Sequence, residues 1–315
     1  MSDRRPVPRL QPLARARVAS LGEDGAAWAA ALPERLATVQ RRWSLTLGRA
    51  RPGGSSSYVV SARTAAGRPV VVKLAMPDPG LPQQVATLRR AQGRGYAHLL
   101  ADDPDCDALL LEELGPSLAR SAQPVEAQLR LLADTLALAW QPLPVRPRPG
   151  AEADKAQGLH DLVSRLWVEL GRPCPEAVVS QALEYADRRR RVPAGELVVV
   201  HGDPHPANLL AAPDRPPGSG TGWCFVDPDG FVADRAYDLG VVLRDWTGRL
   251  SGPDARRRLA GYCELLAARS GVDATRIWEW GYLERVSTGL YVLSFGAVRL
   301  ATGFLRSAES LLDGD

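Results

Sequence analysis

One short segment, VVVHGDPHPANLL, constrains this chain more than any other part of its sequence. It is an apolar run that opens onto a polar loop carrying His201, Asp203, His205 and Asn208. The next apolar run, CFVDPDG, leads directly into Asp227. The pattern predicts two short neighbouring strands whose ends bring carboxylates, an amide and imidazoles together.

Other kinds of metal site fit this loop poorly. His201 and His205 are four residues apart, as in a helical zinc pair, but the two prolines of the loop disfavour a helix there. A calcium loop beginning at Asp203 would need glycine at its sixth position, where Asn208 stands. A buried structural Asp–His loop remains an alternative.

The spacing of the polar residues fits phosphoryl transfer. That reaction needs a carboxylate to orient the attacking hydroxyl and accept its proton, and oxygen ligands to hold magnesium on the phosphates. The H-x-D pattern followed five residues later by Asn has the spacing of a kinase catalytic loop. We therefore expect Asp203 to be the base and Asn208 and Asp227 to be Mg²⁺ ligands.

HGDPHPANLL and DPDGFVADRAYDL together resemble the aminoglycoside phosphotransferase superfamily of kinase-like small-molecule kinases. The segments AAWAAALPERLATVQRRWSL and GRGYAHLLADDPDCDALLLEEL extend the resemblance, which is closest to the streptomycin and hydroxyurea phosphotransferase branch. It implies an α+β, bilobal protein-kinase-like fold, in which the N-lobe is an antiparallel sheet with helices and the C-lobe is mainly helical. It also implies that His201, His205 and Asp238 support the catalytic loop.

The chain is expected to divide near the break Gly-Pro-Ser that follows the strand DALLLEEL. We expect a flexible arm at 1–20, a nucleotide-binding N-lobe at 21–114, and a catalytic and acceptor-binding C-lobe at 115–315. The resemblance implies that the end of the strand, with Glu112 and Leu114, presents backbone groups to the adenine of the nucleotide.

Lysine is scarce in this chain. Of its 39 Lys and Arg residues, only Lys73 and Lys155 are lysines. Lys73 lies in PVVVKLAM, a strand-like run with no other charge. A compact ammonium suits the binding of nucleotide phosphates better than a planar guanidinium does. We therefore expect Lys73 to contact the phosphates; a solvated lysine on a strand edge is the alternative.

Two features close to Lys73 also bear on nucleotide binding. The preceding predicted hairpin has a tip that could lay backbone N–H groups over phosphates, although a flexible turn would have the same composition. That tip comprises Gly53, Gly54, Ser55 and Ser56. On the following predicted helix, 81–92, Gln84 stands where kinases carry a glutamate, so an amide replaces the usual ion-pair partner of the lysine.

The last third of the chain is predicted to be helical, near 235–249, 253–270 and 274–304. Three acids on these helices could face a cationic or polyhydroxylated acceptor, because carboxylates attract such a ligand. They are Asp245, Glu279 and Glu284. The alternative for each acid is a helix surface on which it pairs with a neighbouring arginine.

Composition excludes several classes of protein. The net charge is only +3, with acids and arginines interleaved, so we expect no nucleic-acid partner. No stretch approaches the roughly 18 apolar residues of a membrane span, so we expect no membrane partner. The four cysteines share no metal-ligand spacing and indicate reduced thiols in a cytoplasmic protein. We expect a monomer or a weak homodimer.

The resemblance implies transfer of the γ-phosphoryl group of ATP, or of GTP, to a hydroxyl of a streptomycin-like aminoglycoside antibiotic or of hydroxyurea. One alternative is a metabolic sugar or amino-alcohol kinase of the same fold. Another is a pseudokinase-type nucleotide-binding module, which only Gln84 favours. A protein kinase is disfavoured, because no activation segment ending in Ala-Pro-Glu follows Asp227.

Overall fold

The computed structural model describes residues 10–51, 56–143, 150, 154–193, 195–216 and 220–312. The chain divides into two compact units, Met1–Gly115 and Pro116–Asp315.

The first unit is built on a five-stranded antiparallel sheet with the strand order β1-β2-β3-β5-β4. Its elements are α1 (Pro12–Ser20), α2 (Gly22–Arg42), β1 (Thr46–Ala50), β2 (Ser57–Arg63), β3 (Pro69–Ala75), α3 (Leu81–Ala91), β4 (Leu99–Asp103) and β5 (Ala108–Glu112). The β-branched run of β3 places Val70, Val72 and Leu74 in the same buried cluster as Trp28 of α2. Because side chains alternate along a strand, Lys73 projects from the other face.

The described part of the N-terminal segment is helical. Residues 12–20 form α1 rather than the flexible arm expected from the sequence, and residues 1–9 lie outside the described residues. Pro12 begins α1, where its fixed φ and missing N–H cost nothing. Ala14 is 2% exposed and belongs to the core of the first unit, with Val18 packed against it. Arginines between these small apolar residues hide the pattern in the sequence.

The second unit is mainly helical and contains two short antiparallel strand pairs, β6 with β9 and β7 with β8. Its elements are α4 (Val125–Ala139), α5 (Asp154–Glu169), α6 (Glu176–Arg189), β6 (Leu197–Val199), β7 (Leu209–Ala211), β8 (Trp223–Phe225), β9 (Val232–Asp234), α7 (Arg235–Val242), α8 (Ala255–Ser270), α9 (Ala274–Ser294) and α10 (Val298–Glu309). None of the helices in the described ranges is both long enough and apolar enough to cross a membrane.

Helix α9 is the central element of the second unit, and α7 packs closely against it. A Cβ added at Gly240 of α7 would lie 2.5 Å from Cβ of Trp280 and 2.7 Å from N of Gly281, so only glycine allows this approach. Further along α9, buried Arg285 donates to the carbonyl of Leu243 at 2.7 Å. This bond fixes the 3-10 turn Leu243–Asp245 that follows α7.

Two predicted helices are shorter than expected. The helix near 235–249 ends at Val242, and the 3-10 turn follows it. The helix predicted near 274–304 is two helices, because Gly296 adopts a left-handed φ of 77° between α9 and α10. The sequence hides this break because apolar residues continue on both sides of the glycine.

Candidate active site

A polar loop joins β6 to β7, and its backbone is tightly restrained at Gly202. This glycine has a φ of 95°, which residues other than glycine rarely adopt. A Cβ there would lie 2.6 Å from Oδ2 of Asp229 and 2.8 Å from Cε1 of Phe231. The chain can therefore turn sharply at this point and present the next residue, Asp203.

His201 ties the beginning of the loop to the strand beyond it. Its side chain is fully buried, Nδ1 accepts a hydrogen bond from the backbone N–H of Asp203 at 3.1 Å, and Nε2 lies 3.0 Å from the carbonyl of Val226. The two contacts together require a neutral ring that donates from Nε2. Burial lowers the pKa of His201 to about 4, in keeping with that neutral form.

Asp238 of α7 braces the same loop through its backbone. Its two carboxylate oxygens accept hydrogen bonds from N–H of His201 at 2.8 Å and N–H of Gly202 at 2.9 Å. The indole Nε1 of Trp140 donates a third bond at 2.9 Å. Burial raises the pKa of Asp238 to about 6, while the three hydrogen bonds favour the carboxylate. The carboxylate of Asp238 thus holds the backbone at His201 and Gly202.

Asn208 directly precedes β7 and Asp227 closely follows β8, at adjoining ends of this strand pair. The side-chain Nδ2 of Asn208 donates to the backbone carbonyl of Asp203 at 3.1 Å, and the backbone carbonyl of Asn208 accepts from N–H of Val226 at 2.9 Å. Asp227 follows Val226 directly and has a left-handed φ of 56°, which is costly for a residue other than glycine. Such strain at a polar position is typical of a functional site.

The ligands offered by Asn208 and Asp227 fit magnesium. Since the amide nitrogen of Asn208 is used inside the loop, its oxygen is the group left for a cation, beside the carboxylate of Asp227. Mg²⁺ prefers such oxygens and commonly takes only one or two protein ligands, with phosphates and waters completing its shell. Across the described residues, no cluster of three or more His, Cys, Asp or Glu forms a denser metal site.

Two basic side chains contact the carboxylate of Asp203. Nη2 of Arg244 lies 2.5 Å from Oδ1, and Nε2 of His205 lies 3.3 Å from Oδ2. Burial opposes the ionisation of Asp203, but the hydrogen bond from His205 and the charge of Arg244 hold its pKa well below the ordinary value. Burial also disfavours the imidazolium of His205, yet the bond to Asp203 raises its pKa. The side chain of Asp203 remains 38% exposed, so a ligand can reach it.

Arg244 is the site residue that the sequence interpretation missed. Its guanidinium lies in the 3-10 turn after α7 and approaches three carboxylates, with Nε 3.8 Å from Asp245 and Nη1 3.8 Å from Glu284 in addition to the contact with Asp203. Asp245 and Glu284, two of the predicted acceptor residues, therefore surround the same guanidinium as Asp203. The sequence signal that could have identified Arg244 was a single arginine directly after the apolar run YDLGVVL.

Glu279, the third predicted acceptor residue, lies elsewhere. Its buried carboxylate is 2.7 Å from Nε of Arg189 and 3.3 Å from Nη1 of Arg188, both on α6. It borders a separate cavity of about 360 Å³ that Trp278 and other residues line. Five residues separate Glu279 from Glu284 on α9, which turns their side chains about 140° apart. Glu279 therefore pairs with arginines, as in the alternative stated above, but it does so in a buried contact with α6 and not on a solvated helix surface.

In the first unit, Lys73 and Gln84 are in contact as expected. Nζ of Lys73 donates to Oε1 of Gln84 at 2.8 Å, and Lys73 is only 5% exposed. Burial excludes the alternative of a solvated lysine on a strand edge. The amide of Gln84 thus occupies the place of the usual glutamate.

The other predicted nucleotide-binding residues have varied surroundings. Gly53, Gly54 and Ser55 lie outside the described residues, and Ser56 is exposed immediately before β2. The carboxylate of Glu112 accepts a hydrogen bond from N–H of His98 at 2.8 Å, so its side chain fixes the end of β5. Leu114 is buried at 8% exposure.

Comparison with known proteins identifies relatives along most of the chain. Residues 42–296 match the family described as aminoglycoside/hydroxyurea antibiotic resistance kinase. The chain is 30% identical over 314 residues to streptomycin 6-kinase of Streptomyces glaucescens, covering 96% of each protein. It is also 30% identical over 303 residues to streptomycin 6-kinase of Streptomyces griseus, covering 92% of each.

Solved structures similar to this chain share its kinase-like fold at low sequence identity. One is an aminoglycoside phosphotransferase from Streptomyces rimosus solved with ADP and streptomycin, which is 19% identical, has a TM-score of 0.52, and matches 82% of this chain and 98% of that one. A macrolide 2'-phosphotransferase from Brachybacterium faecium is 17% identical with a TM-score of 0.53, and the match covers 89% and 98% of the two chains. The predicted fold class is confirmed.

Proposed function

We propose, from the premise that this chain belongs to the aminoglycoside/hydroxyurea antibiotic resistance kinase family, that it phosphorylates a hydroxyl of a streptomycin-like aminoglycoside. The family makes the chain an antibiotic-modifying kinase that transfers a phosphoryl group from a nucleotide to an alcohol group. The nature of the acceptor, the choice of ATP over GTP and the roles of single residues are parts of the proposal.

One observation carries the proposal for the second unit. The partly exposed carboxylate of Asp203 is held by Arg244 and His205 on a loop that Asp238 braces. A group held in this way can orient an acceptor hydroxyl and receive its proton. Because the transition state of phosphoryl transfer is largely dissociative, orientation matters more than strong basicity, and the lowered pKa of Asp203 suits that task.

Asn208 and Asp227 are the proposed ligands of Mg²⁺. When bound, the ion neutralises and orients the phosphates of the nucleotide. The chain's own contribution is to hold an amide oxygen and a carboxylate at adjoining strand ends, through the pairing of β7 with β8 and the bond from Val226 to Asn208. His201 keeps this pair in register with Asp203, because it contacts both segments.

The first unit supplies the proposed nucleotide contacts. Lys73, oriented by Gln84, would bind the phosphates, and the backbone at Glu112 and Leu114 would face the base. The hairpin tip that includes Ser56 would cover the phosphates. ATP is the expected donor and GTP the alternative. We also infer a cytoplasmic protein, since it uses a nucleotide and its four cysteines are free thiols, and a monomer or weak homodimer.

The acceptor is proposed to be cationic. Asp245 is 36% exposed beside Nε of Arg244, and Glu284 lies 3.8 Å from Nη1 of the same guanidinium. With Asp203 they form a group of three carboxylates against one arginine, which attracts a cation bearing hydroxyls. The relatives named above are streptomycin kinases, and streptomycin carries two guanidinium groups.

A turnover assay tests the proposal directly. The purified protein would be given magnesium and ATP with a panel of streptomycin, hydroxyurea, simple sugars and amino alcohols, while ADP release is followed. We expect acceptor-dependent release with streptomycin, and phosphorus NMR of the product would locate the phosphate. Turnover confined to a sugar or an amino alcohol would replace the proposed acceptor. Nucleotide binding without turnover on any acceptor would favour the pseudokinase alternative.

A further inference from the structure

An exposed aromatic pair lies at the end of α9. Large hydrophobic side chains are seldom exposed among the described residues, yet four of the six exposed ones fall within ten positions of each other: Tyr291, Phe295, Val298 and Leu300. The rings of Tyr291 and Phe295 pack edge to face with their centroids 4.6 Å apart, at exposures of 45% and 61%. A cluster of this kind on a surface is typical of a binding region.

The aromatic pair continues the helix face that carries Glu284. Tyr291 lies 7 residues beyond Glu284 on the same helix, and Phe295, the C-cap residue of α9, lies 11 residues beyond it. At about 100° per residue, both side chains project within about 20° of the direction of Glu284. At about 1.5 Å per residue, they lie about 10 Å and about 16 Å further along the axis.

This face begins at the catalytic carboxylate. Glu284 lies 3.8 Å from Nη1 of Arg244, and Nη2 of the same guanidinium lies 2.5 Å from Asp203. The neighbouring segments cover Glu284, which is 4% exposed, but they leave Tyr291 and Phe295 open. One stripe of α9 therefore leads from the proposed site of phosphoryl transfer to an open aromatic surface about two to three helical turns away.

We propose that Tyr291 and Phe295 form a distal acceptor surface, against which a second ring of a cationic, multi-ring acceptor packs while its reacting hydroxyl lies at Asp203. The inference rests on the proposed function and specifies its substrate class as an elongated acceptor. Aromatic faces bind both the apolar faces of sugar rings and neighbouring cationic groups. The carboxylates beside Arg244 bind the charged ring, and the aromatic pair selects for length.

A second copy of the chain is a weaker candidate for this surface. A stable protein–protein interface buries about 800 Å² on each partner. Four partly exposed side chains within ten residues provide much less than that area. Their continuity with the helix face that carries Glu284 favours the acceptor.

The test compares long and short acceptors in matched variants. Tyr291→Ser, Phe295→Ser and the double variant would be assayed with streptomycin and with its isolated guanidinium-bearing ring, streptidine. For the double variant we expect KM for streptomycin to rise roughly tenfold, with kcat and KM for ATP unchanged. Streptidine, which is too short to reach the pair, should behave alike in variant and parent. Val168→Ser on α5, where Val168 is 63% exposed, is the control and should change neither constant.

Several outcomes would overturn the inference. An unchanged KM for streptomycin in the double variant is one, and an equal rise for streptidine is another. Light scattering that shows a parent dimer and a monomeric double variant, with KM unchanged, would assign the pair to self-association instead. If the parent phosphorylates no acceptor, the proposed function fails. Calorimetric titration with streptomycin then still tests the distal acceptor surface, and equal affinity in parent and double variant refutes that surface.

Discussion

At the scale of single residues, Asp203 is held by more partners than a free general base would be. Arg244 contacts one carboxylate oxygen, His205 lies near the other, and Asn208 binds the backbone carbonyl of the same residue. These contacts leave little rotational freedom to the carboxylate. In the proposed reaction, the acceptor hydroxyl would meet a base whose position is set before binding, which lowers the entropy cost of the reactive geometry.

Replacement of this base is the first residue-scale prediction. Asp203→Asn keeps the shape of the side chain but removes the proton acceptor and the charge opposite Arg244. We expect kcat to fall by about 10²–10⁴-fold while nucleotide affinity changes little. Steady-state turnover and a nucleotide titration would measure the two effects. Asp254→Asn, at an exposed acid whose carboxylate pairs with Arg257, is the matched control. Turnover near that of the parent in Asp203→Asn would refute the assignment.

The contact between Lys73 and Gln84 supports a second residue-scale prediction. Gln84→Glu converts a hydrogen bond of 2.8 Å into a charge-assisted one, so we expect kcat/KM for ATP to rise several-fold. Lys73→Ala should lower kcat/KM far more and remove any benefit of the new glutamate. A double-mutant cycle on kcat/KM measures this coupling. Additive effects would show that Gln84 does not act through Lys73.

Residues close together in the sequence were predictable, whereas long-range partners were not. His201, Asp203 and Asn208 fall within one loop, so their spacing alone indicated that they act together. Arg244 reaches Asp203 across 41 positions, and the arginine lies in an apolar run that gives no sign of its partner. Such a pairing depends on how α7 folds back towards the loop, which local patterns do not specify.

At the scale of secondary-structure elements, the packing of α7 on α9 determines where the site residues lie. The positions of Asp238 and Arg244 are set by α7 and the turn after it, and the position of Glu284 is set by α9. We expect Gly240→Ala to lower the free energy of unfolding by about 2–4 kcal/mol, because its methyl group would meet the backbone of α9. Chemical denaturation would measure the change.

Another helical glycine provides the control for this element-scale prediction. Gly158 of α5 has no atom within 4 Å of an added Cβ. Gly158→Ala should therefore stabilise the protein by about 0.5–1 kcal/mol, through helix propensity alone. Equal effects at positions 240 and 158 would mean that the close approach of α7 to α9 does not limit stability.

The length and orientation of α9 were the hardest features to predict at this scale. Buried residues surround almost the whole circumference of its first four turns, so the sequence has no polar face to orient the helix. Without that orientation, Glu279 and Glu284 were equivalent acids, although one faces α6 and the other faces Arg244. By contrast, β3 was predictable because its run of valines has no helical period.

At the scale of the whole molecule, stability is expected to depend on pH through His201. Its pKa of about 4 in the folded protein lies below its ordinary value of 6.5, so the unfolded chain takes up a proton first as the pH falls. The contribution of His201 to the free energy of unfolding is complete above pH 6.5 and is lost as the pH falls towards 4. Asp238 has a raised pKa of about 6, so its contribution to the free energy of unfolding grows as the pH falls over an overlapping range.

Replacement of His201 separates these two contributions. His201→Gln keeps a hydrogen-bond donor and an acceptor but does not titrate. The variant should therefore lack the loss of stability that His201 causes at low pH, while the pH dependence due to Asp238 remains. We expect the stability difference between parent and variant to shrink as the pH falls from about 6.5 to about 4, by at most about 1.4 kcal/mol per pH unit. Urea unfolding at several pH values measures it. A difference that does not vary with pH would mean that His201 is not held neutral.

The lysine content has a practical consequence. Only two side chains in this protein carry a primary amine, and both are sheltered: Lys73 is 5% exposed against Gln84, and Lys155 lies over the rings of Phe231 and Tyr237, with its Nζ 4.7 Å from the centroid of Tyr237. An amine-directed acylating reagent therefore meets almost no competing surface sites. If Lys73 contacts the nucleotide as proposed, ATP should slow its covalent labelling, as read by mass spectrometry, with Lys155 as the internal reference.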